Sequence, residues 1–384
     1  MTPTRSPRRH DLDWLRVLAF ATLILYHVGM FYVTWDWHVK SDHMSPYLEP
    51  LMSLVNPWRL ALLFFISGVA LRFLLDSRGP RAVASDRIDR LLLPLGFGML
   101  VVVMPQAYVE LRAKGEIEPG LLGFFPRYLS PFESFSVVTP TWNHLWFLAY
   151  VLVYSLLLAA CHTRMSRVRA RMGPAAATVL RRNPWLVLVV PALPAMTYAI
   201  VLDPAFPPTH MMINDWATHA HSLTMVLLGW FAAKSATFWS AIRACLVPAL
   251  LIAVGLGAAL SLSSGVDTGR SGTLFTVTQE VYAWAVIASV LGLAQRFLAR
   301  PSRALTYATE AVLPWYILHQ SITVVLGYAF LGSTVSLWIE ASVILLGTLL
   351  GCAVLHELLI RRVCWIRPLF GLKRRATPAR AMSR

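Results

Sequence analysis

The chain has 384 residues, of which 57% are hydrophobic and 14% charged, and its formal net charge is +15. A soluble domain of this length needs far more polar surface, so the composition excludes a soluble protein and predicts a membrane protein. The basic residues lie in short loops between apolar runs, which makes the net charge a topology signal. Since zinc-ligand spacings and other nucleic-acid modules are not visible, we expect no nucleic-acid partner.

Ten apolar segments are long enough to span a bilayer, which needs about 20 residues each. The segments cover residues 12–34, 56–76, 90–111, 144–162, 184–202, 216–234, 241–262, 274–296, 305–330 and 336–359. They predict an all-α, polytopic membrane protein whose roughly ten transmembrane helices form a single bundle surrounded by membrane lipids. We place this transmembrane domain at 12–360, after an N-terminal segment 1–11 and before a basic tail 361–384.

The basic residues of successive loops alternate in number and so predict the orientation. Most of the 34 Lys and Arg residues, among them Arg5, fall in the termini and in every second loop. The opposite loops hold few, including Lys40, Arg59 and Arg270. Positively charged loops stay in the cytoplasm, so both termini are predicted to be cytoplasmic.

The first segment, DLDWLRVLAFATLILYHVGMFY, carries two ionisable residues, Arg16 and His27. They are eleven residues apart, which is about 20° past three helical turns and about 16 Å along the axis, so they share one face. Asp13 lies one turn before Arg16 and can pair with it. Taken alone, Arg16 is explained as an arginine that snorkels to the membrane interface, and His27 as a histidine bonded to a neighbouring helix. Together on one face they indicate a functional seam.

The second and third segments add two motifs. FFISG places Ser67 and Gly68 where another helix can approach closely. RIDR places Arg87 and Arg90 three residues apart, as neighbours on one helix surface at the cytoplasmic side. Such a pair can bind phosphates, although it also fits plain positive-inside charge. Arg72 lies within the second segment and is a further candidate for this role.

Aromatic residues mark the outer side. In TWNHLWFL, His144 is expected at the outer face between Trp142 and Trp146, and WDWHVKSDH supplies Trp37 and His38 in an outer loop. An aromatic belt at the membrane interface accounts for the tryptophans, and stacking on a sugar accounts for them equally well.

The segment 305–330 carries Tyr316 and His319, which are three residues apart and face the same way. His319 lies about 24 Å along the helix from Arg303, in the outer half of the bilayer. At that depth it can meet His27.

In this order and spacing, Arg-x10-His, FFISG, RIDR, HLWFL and YILH resemble acyltransferase family 3, the membrane O-acyltransferases. The resemblance covers most of the chain and is best over 11–150 and 305–325. Within the family, DLDWLR, WHVKS and HLWFL look like the branch associated with succinylation of osmoregulated periplasmic glucans. The resemblance implies a multi-pass protein of the bacterial inner membrane. It also implies that Arg16 and His27 are essential and that Arg87 and Arg90 lie near a cytoplasmic donor site.

On this resemblance we expect transfer of an acetyl or succinyl group from cytoplasmic acyl-CoA to a glycan or glucan hydroxyl outside the cytoplasm. Acyl-CoA is a co-substrate, and we expect no bound cofactor and no metal. The assigned residues fall into three groups. They are His27, His319 and Tyr316 for catalysis; Arg16, Asp13, Arg72, Arg87 and Arg90 for the donor; and Trp37, His38, Trp142, His144 and Trp146 for the acceptor.

In this interpretation His27 acts as general base or briefly carries the acyl group, and His319 and Tyr316 orient the acceptor or stabilise an oxyanion. The alternative is a transporter or flippase of a glycan or lipid-linked substrate, in which the same buried residues line a substrate path. A scaffold without catalysis is a third interpretation. The oligomeric state is left open.

Overall fold

The computed structural model describes residues 8–263 and 272–374. Arg5, Arg270 and residues 375–384 of the predicted tail lie outside the described residues. Within the described ranges the elements are helical throughout, so the all-α prediction is confirmed.

Twelve helices follow one another in these ranges. They are α1 (His10–Met30), α2 (Glu49–Arg78), α3 (Pro80–Ala113), α4 (Leu121–Leu129), α5 (Trp146–Arg182), α6 (Leu186–Val201), α7 (Trp216–Ala232), α8 (Ala236–Ala244), α9 (Leu246–Ser263), α10 (Thr273–Phe297), α11 (Arg303–Ala329) and α12 (Leu337–Ile360). Every predicted apolar segment corresponds to one of them. Two π-helical turns, Ile88–Leu92 and Gly98–Val102, lie within α3.

Within the described ranges six helices are long and apolar enough to span a bilayer, which makes the chain a multi-pass membrane protein. The count becomes seven if α7 and α8, which are bent by 107°, form one broken span. The helices α6 and α9 are shorter, and α11 is long but too polar to be counted by composition. Ten spans and two cytoplasmic termini therefore stay predictions.

Glycines bring α2 and α7 into backbone contact. A Cβ on Gly68 would lie 1.9 Å from the carbonyl oxygen of Val226, and a Cβ on Gly229 would lie 2.0 Å from that of Phe65. Both distances are far below any real contact, so only glycine fits at this crossing. The close approach expected at FFISG is confirmed, and it fixes how α2 packs against α7.

The helix α1 packs against α11, α2 and α10, and α11 also packs against the second half of α3 and against α12. Three loops close one end of this arrangement: those that follow α1, α4 and α6. The helix α2 begins at Glu49, earlier than the predicted segment 56–76, so Arg59, which was counted with the loop charges, lies well inside the helix and not at its end. The bundle thus places the second half of α1 between α2 and α11, directly under the three loops.

Candidate active site

Two histidines from distant parts of the chain meet inside the bundle. Nδ1 of His27 on α1 lies 2.8 Å from Nε2 of His319 on α11, and the rings are 3° from parallel. His27 is 9% exposed and His319 is fully buried. The meeting expected from their depths is therefore confirmed.

The surroundings of this histidine pair decide where its protons lie. Nδ1 of His319 is 2.8 Å from the carbonyl oxygen of Tyr316 and 3.1 Å from that of Trp315. Carbonyl oxygens only accept, so Nδ1 of His319 carries a hydrogen, and its Nε2 accepts when the ring is neutral. Nδ1–H of His27 then donates to His319. The lone pair of His27 is left on Nε2, which has no hydrogen-bond partner among the described residues.

Tyr316 and His144 pack around the pair without offering free polar groups. The hydroxyl of Tyr316 donates to the carbonyl oxygen of His144. Nε2 of His144 lies 3.1 Å from the carbonyl oxygen of Tyr316, and its ring stands edge-on to that of His319 at 5.3 Å. His144 therefore lies beside the pair and not at the outer entrance. The reason is that Asn143–Leu145 forms a tight turn before α5, which directs the ring inward.

A cavity of about 700 Å³ lies on one side of the pair, beneath the three loops. It contains seven of the residues assigned to catalysis or to the acceptor. They are His27, Trp37, His38, Trp142, His144, Trp146 and Tyr316. The ring of Trp37 lies 6.4 Å from that of His27, and Trp146 stacks on His210 at 4.1 Å. We call this space the outer cavity.

A polar network forms one wall of the outer cavity. His38 lies 2.5 Å from the carboxylate of Glu110 through Nδ1, and Gln320 donates to its Nε2 at 3.0 Å. The amide oxygen of Gln106 accepts from Gln320 and Asn143, each at 3.1 Å. This buried network is satisfied by its own members, so it holds the wall rigid.

An apolar groove of about 310 Å³ lies on the opposite side of the pair, between α1, α11 and α12. It runs from Val17 and Tyr307 to His319, and Trp315 and Tyr316 also line it. Nε1 of Trp315 is buried there without a partner in the described part of the chain. The pair and Tyr316 therefore separate the apolar groove from the outer cavity.

The groove starts next to a group of arginines. Arg16 forms an ion pair with Asp13 at 3.7 Å. Arg90 is near enough to Arg16 and to Arg87 for its positive charge to repel theirs. Nε of Arg16 and Nε of Arg87 are buried and lack partners among the described residues. Arg90 donates to the carbonyl oxygen of Gly371 at 3.3 Å. Three of the arginines assigned to the donor are thus brought together.

Arg72 does not join them. It donates to Asp76 at 2.9 Å and to Ser166 at 3.1 Å, and its guanidinium lies 4.2 Å from the ring centroid of Trp230. These contacts engage the Arg72 guanidinium within the bundle, so the structure gives no support to the donor role expected for Arg72.

Sequence reasoning missed several residues of the outer cavity. Arg59 was counted as loop charge, His210 lay in a loop without a motif, and the Gln106–Gln320 contact joins distant segments. Amide side chains within apolar segments were a usable signal, because buried amides need partners.

Comparisons with known proteins agree on the class of enzyme. The family model described as "Acyltransferase domain" matches residues 9–357. Glucans biosynthesis protein C of Escherichia coli O6:K15:H31 (strain 536 / UPEC) is 24% identical over 355 residues, and that of strain K12 is 24% identical over 357. Each alignment covers 88% of this chain and 88% of the relative. No solved structure matches the chain. The chain belongs to acyltransferase family 3 and is a membrane O-acyltransferase.

Proposed function

We propose that this enzyme moves an acyl group from acyl-CoA to a hydroxyl of a glycan on the other side of the bacterial inner membrane. The observation that carries the proposal is the position of the His27–His319 pair between the outer cavity and the apolar groove. A reaction between a donor and an acceptor that approach from opposite faces needs its base at such a boundary.

The donor enters from the end of the bundle that holds Arg16, Arg87 and Arg90. Their guanidinium groups are half-buried cations, a chemistry that suits phosphate oxygens, and Nε of Arg16 and of Arg87 has no partner in the described part of the chain. From there the pantetheine arm follows the apolar groove toward His319 and passes Trp315, whose Nε1 has no hydrogen-bond partner among the described residues. The acceptor enters through the outer cavity, where Trp37 and Trp142 offer faces for sugar rings.

The reaction then proceeds at Nε2 of His27. It takes the proton of the acceptor hydroxyl as the oxygen attacks the thioester carbonyl. The tetrahedral intermediate collapses, the carbon–sulfur bond breaks, and the CoA thiolate recovers the proton from Nε2. Positive charge on His27 is shared through Nδ1 with His319, whose own Nδ1–H is held by main-chain oxygens. Tyr316 and His144 hold this arrangement in position.

The acceptor we favour is a glucan, because the relatives are named for glucan biosynthesis. Acetyl and succinyl groups are both retained as the transferred acyl group. Aromatic and amide side chains of the outer cavity suit a neutral sugar with many hydroxyls.

The test uses inside-out membrane vesicles loaded with a glucan and supplied outside with acetyl-CoA or succinyl-CoA. Mass spectrometry reads the esters in the lumen for the wild type, His27→Ala and His10→Ala. His10 begins the same helix far from the cavity and serves as the control. We expect esters with the wild type and with His10→Ala, and none with His27→Ala. Equal ester in all three, or none with either donor, contradicts the proposal.

A further inference from the structure

Arg59 is a buried cation for which the acyl transfer described above has no use. It lies on α2, is 7% exposed and lines the outer cavity. Its Nε is enclosed and has no hydrogen-bond partner among the described residues. Burying a charged guanidinium without compensation is costly, so its presence at this depth calls for an explanation.

The neighbours of Arg59 are neutral. Its guanidinium carbon lies 3.5 Å from the ring centroid of Tyr26, and Nη1 donates to the main-chain and side-chain oxygens of Asn56. The Tyr26 hydroxyl donates to the same side chain at 3.2 Å. In the described ranges no carboxylate forms an ion pair with Arg59.

The other charges of the outer cavity do not compensate it. Glu110 is bound by His38 and by Lys114, the latter at 2.7 Å. Asp36 lines the same cavity and makes no ion pair with Arg59 in the described structure. The stack on Tyr26 and the bonds to Asn56 fix the guanidinium plane, and Nε keeps no hydrogen-bond partner among the described residues.

Arg59 is also close to the reacting atoms. The Tyr26 ring lies 3.5 Å from the guanidinium carbon and 6.1 Å from the ring centroid of His27. The distance from the guanidinium to His27 cannot exceed these two together. A molecule that reacts at His27 is therefore large enough to place one of its groups against Arg59.

We propose that Arg59 binds an oxyanion, a carboxylate or a phosphate, that one of the two substrates carries. An anion bound in the outer cavity would accept charge-assisted hydrogen bonds from the guanidinium and compensate its charge. Two sources share this chemistry: the far end of a dicarboxylic acyl group, or an acidic substituent on the acceptor glycan. The inference rests on the proposed function for the identity of the substrates, but not for anion binding itself.

The first experiment measures initial rates for four substrate pairs. The donors are acetyl-CoA and succinyl-CoA, and the acceptors are a neutral glucan and one carrying phosphate esters. Arg59→Gln is compared with the wild type and with Arg127→Gln, an exposed arginine on α4 outside the outer cavity. A charge-assisted hydrogen bond lost from a buried site corresponds to about a tenfold loss or more.

A loss confined to succinyl-CoA assigns the anion to the acyl group, and a loss confined to the phosphorylated acceptor assigns it to the glycan. Equal losses for all four pairs, or none, overturn the inference. Arg59→Lys is the second variant, because it keeps a charge but loses the planar fork. We expect it to recover part of the selectivity that Arg59→Gln loses.

The second experiment has a readout other than activity. Sodium succinate and inorganic phosphate are added to the purified protein in detergent, and its Tm is followed. We expect at least one of these anions to raise the Tm of the wild type and of Arg127→Gln, and neither to raise that of Arg59→Gln. No shift in the wild type, or the same shift in Arg59→Gln, overturns the inference. A wild type that binds an anion but forms no ester overturns the proposed function alone.

Discussion

Nδ1 of His27 lies 2.8 Å from Nε2 of His319, although 292 residues separate them in the chain. The second imidazole is held in turn by main-chain carbonyl oxygens, and in the described structure no carboxylate contacts either ring. In the proposed mechanism, a second histidine and the backbone take the role that an aspartate has in a Ser–His–Asp triad. This suits the interior of a membrane, because two neutral rings avoid burying a charge in the resting state.

Because the two histidines act through one hydrogen bond, their mutational effects should not add. We expect His27→Ala to lower the rate of transfer by about 10²- to 10⁴-fold, the usual contribution of a general base. His319→Ala should lower it substantially, and the double variant should be no slower than His27→Ala alone. Initial rates with acetyl-CoA and succinyl-CoA measure all three variants. Losses that multiply in the double variant would show that His319 acts independently of His27.

The arginines at the start of the groove should affect donor binding. Arg16→Gln and Arg87→Gln each remove a half-buried cation, so we expect about a tenfold rise in KM for acyl-CoA with a smaller change in kcat. Arg72→Gln breaks the contacts with Asp76 and Ser166 instead, and should lower the Tm with the KM for acyl-CoA unchanged. Steady-state kinetics and thermal unfolding separate the two patterns. An increase in donor KM for Arg72→Gln alone would reverse these assignments.

Filling the apolar groove should block the donor and not the acceptor. Ala308 lines the groove on α11, so Ala308→Phe places a ring in the proposed path of the pantetheine arm. We expect about a tenfold loss in kcat/KM for acyl-CoA and an unchanged KM for the glucan. Val254→Phe, on the exposed side of α9, is the matched control. Full activity in Ala308→Phe would mean that the arm takes another route.

Asp215 should make the loop before α7 sensitive to acid. Burial alone would raise the pKa of its carboxyl, but hydrogen bonds from Tyr150, Thr209 and Thr218 outweigh burial and hold the pKa below its usual value. The stabilisation is therefore complete above the unfolded pKa of about 4 and is lost as the pH falls through the lower folded pKa.

We expect Asp215→Asn to cost about 2 kcal/mol at neutral pH and to flatten the loss of stability in acid. Thermal unfolding between about pH 7 and about pH 3 measures both effects, with the exposed Asp89→Asn as control. If the Tm of Asp215→Asn falls as steeply in acid as the Tm of the wild type, other groups cause the acid sensitivity.

Local patterns accounted for much of the fold. Each apolar segment became a helix, because a bilayer leaves backbone groups no partners other than those within a helix. Gly68 indicated the close crossing of α2 and α7, and the spacing of Arg16 and His27 placed them on one face of α1. These features depend on residues near one another in sequence.

The outer cavity and the apolar groove could not be derived from such local patterns. His144 was expected at the entrance and lies against His319, and Arg72 was assigned to the donor and pairs with Asp76. Arg59 was taken for loop charge and lines the outer cavity. Which polar side chain meets which depends on the depth and rotation of packed helices, and helical periodicity does not specify either for a pair of helices.

The class of protein, its helices and the two histidines follow from the amino-acid sequence, because apolar length, helical spacing and motif order are local properties of the chain. The packed bundle was needed to show that Nε2 of His27 has no partner among the described residues and that the pair divides a polar cavity from an apolar groove. The physical reason is that proton positions and cavities follow from contacts between helices, and those contacts exist only after the bundle has packed.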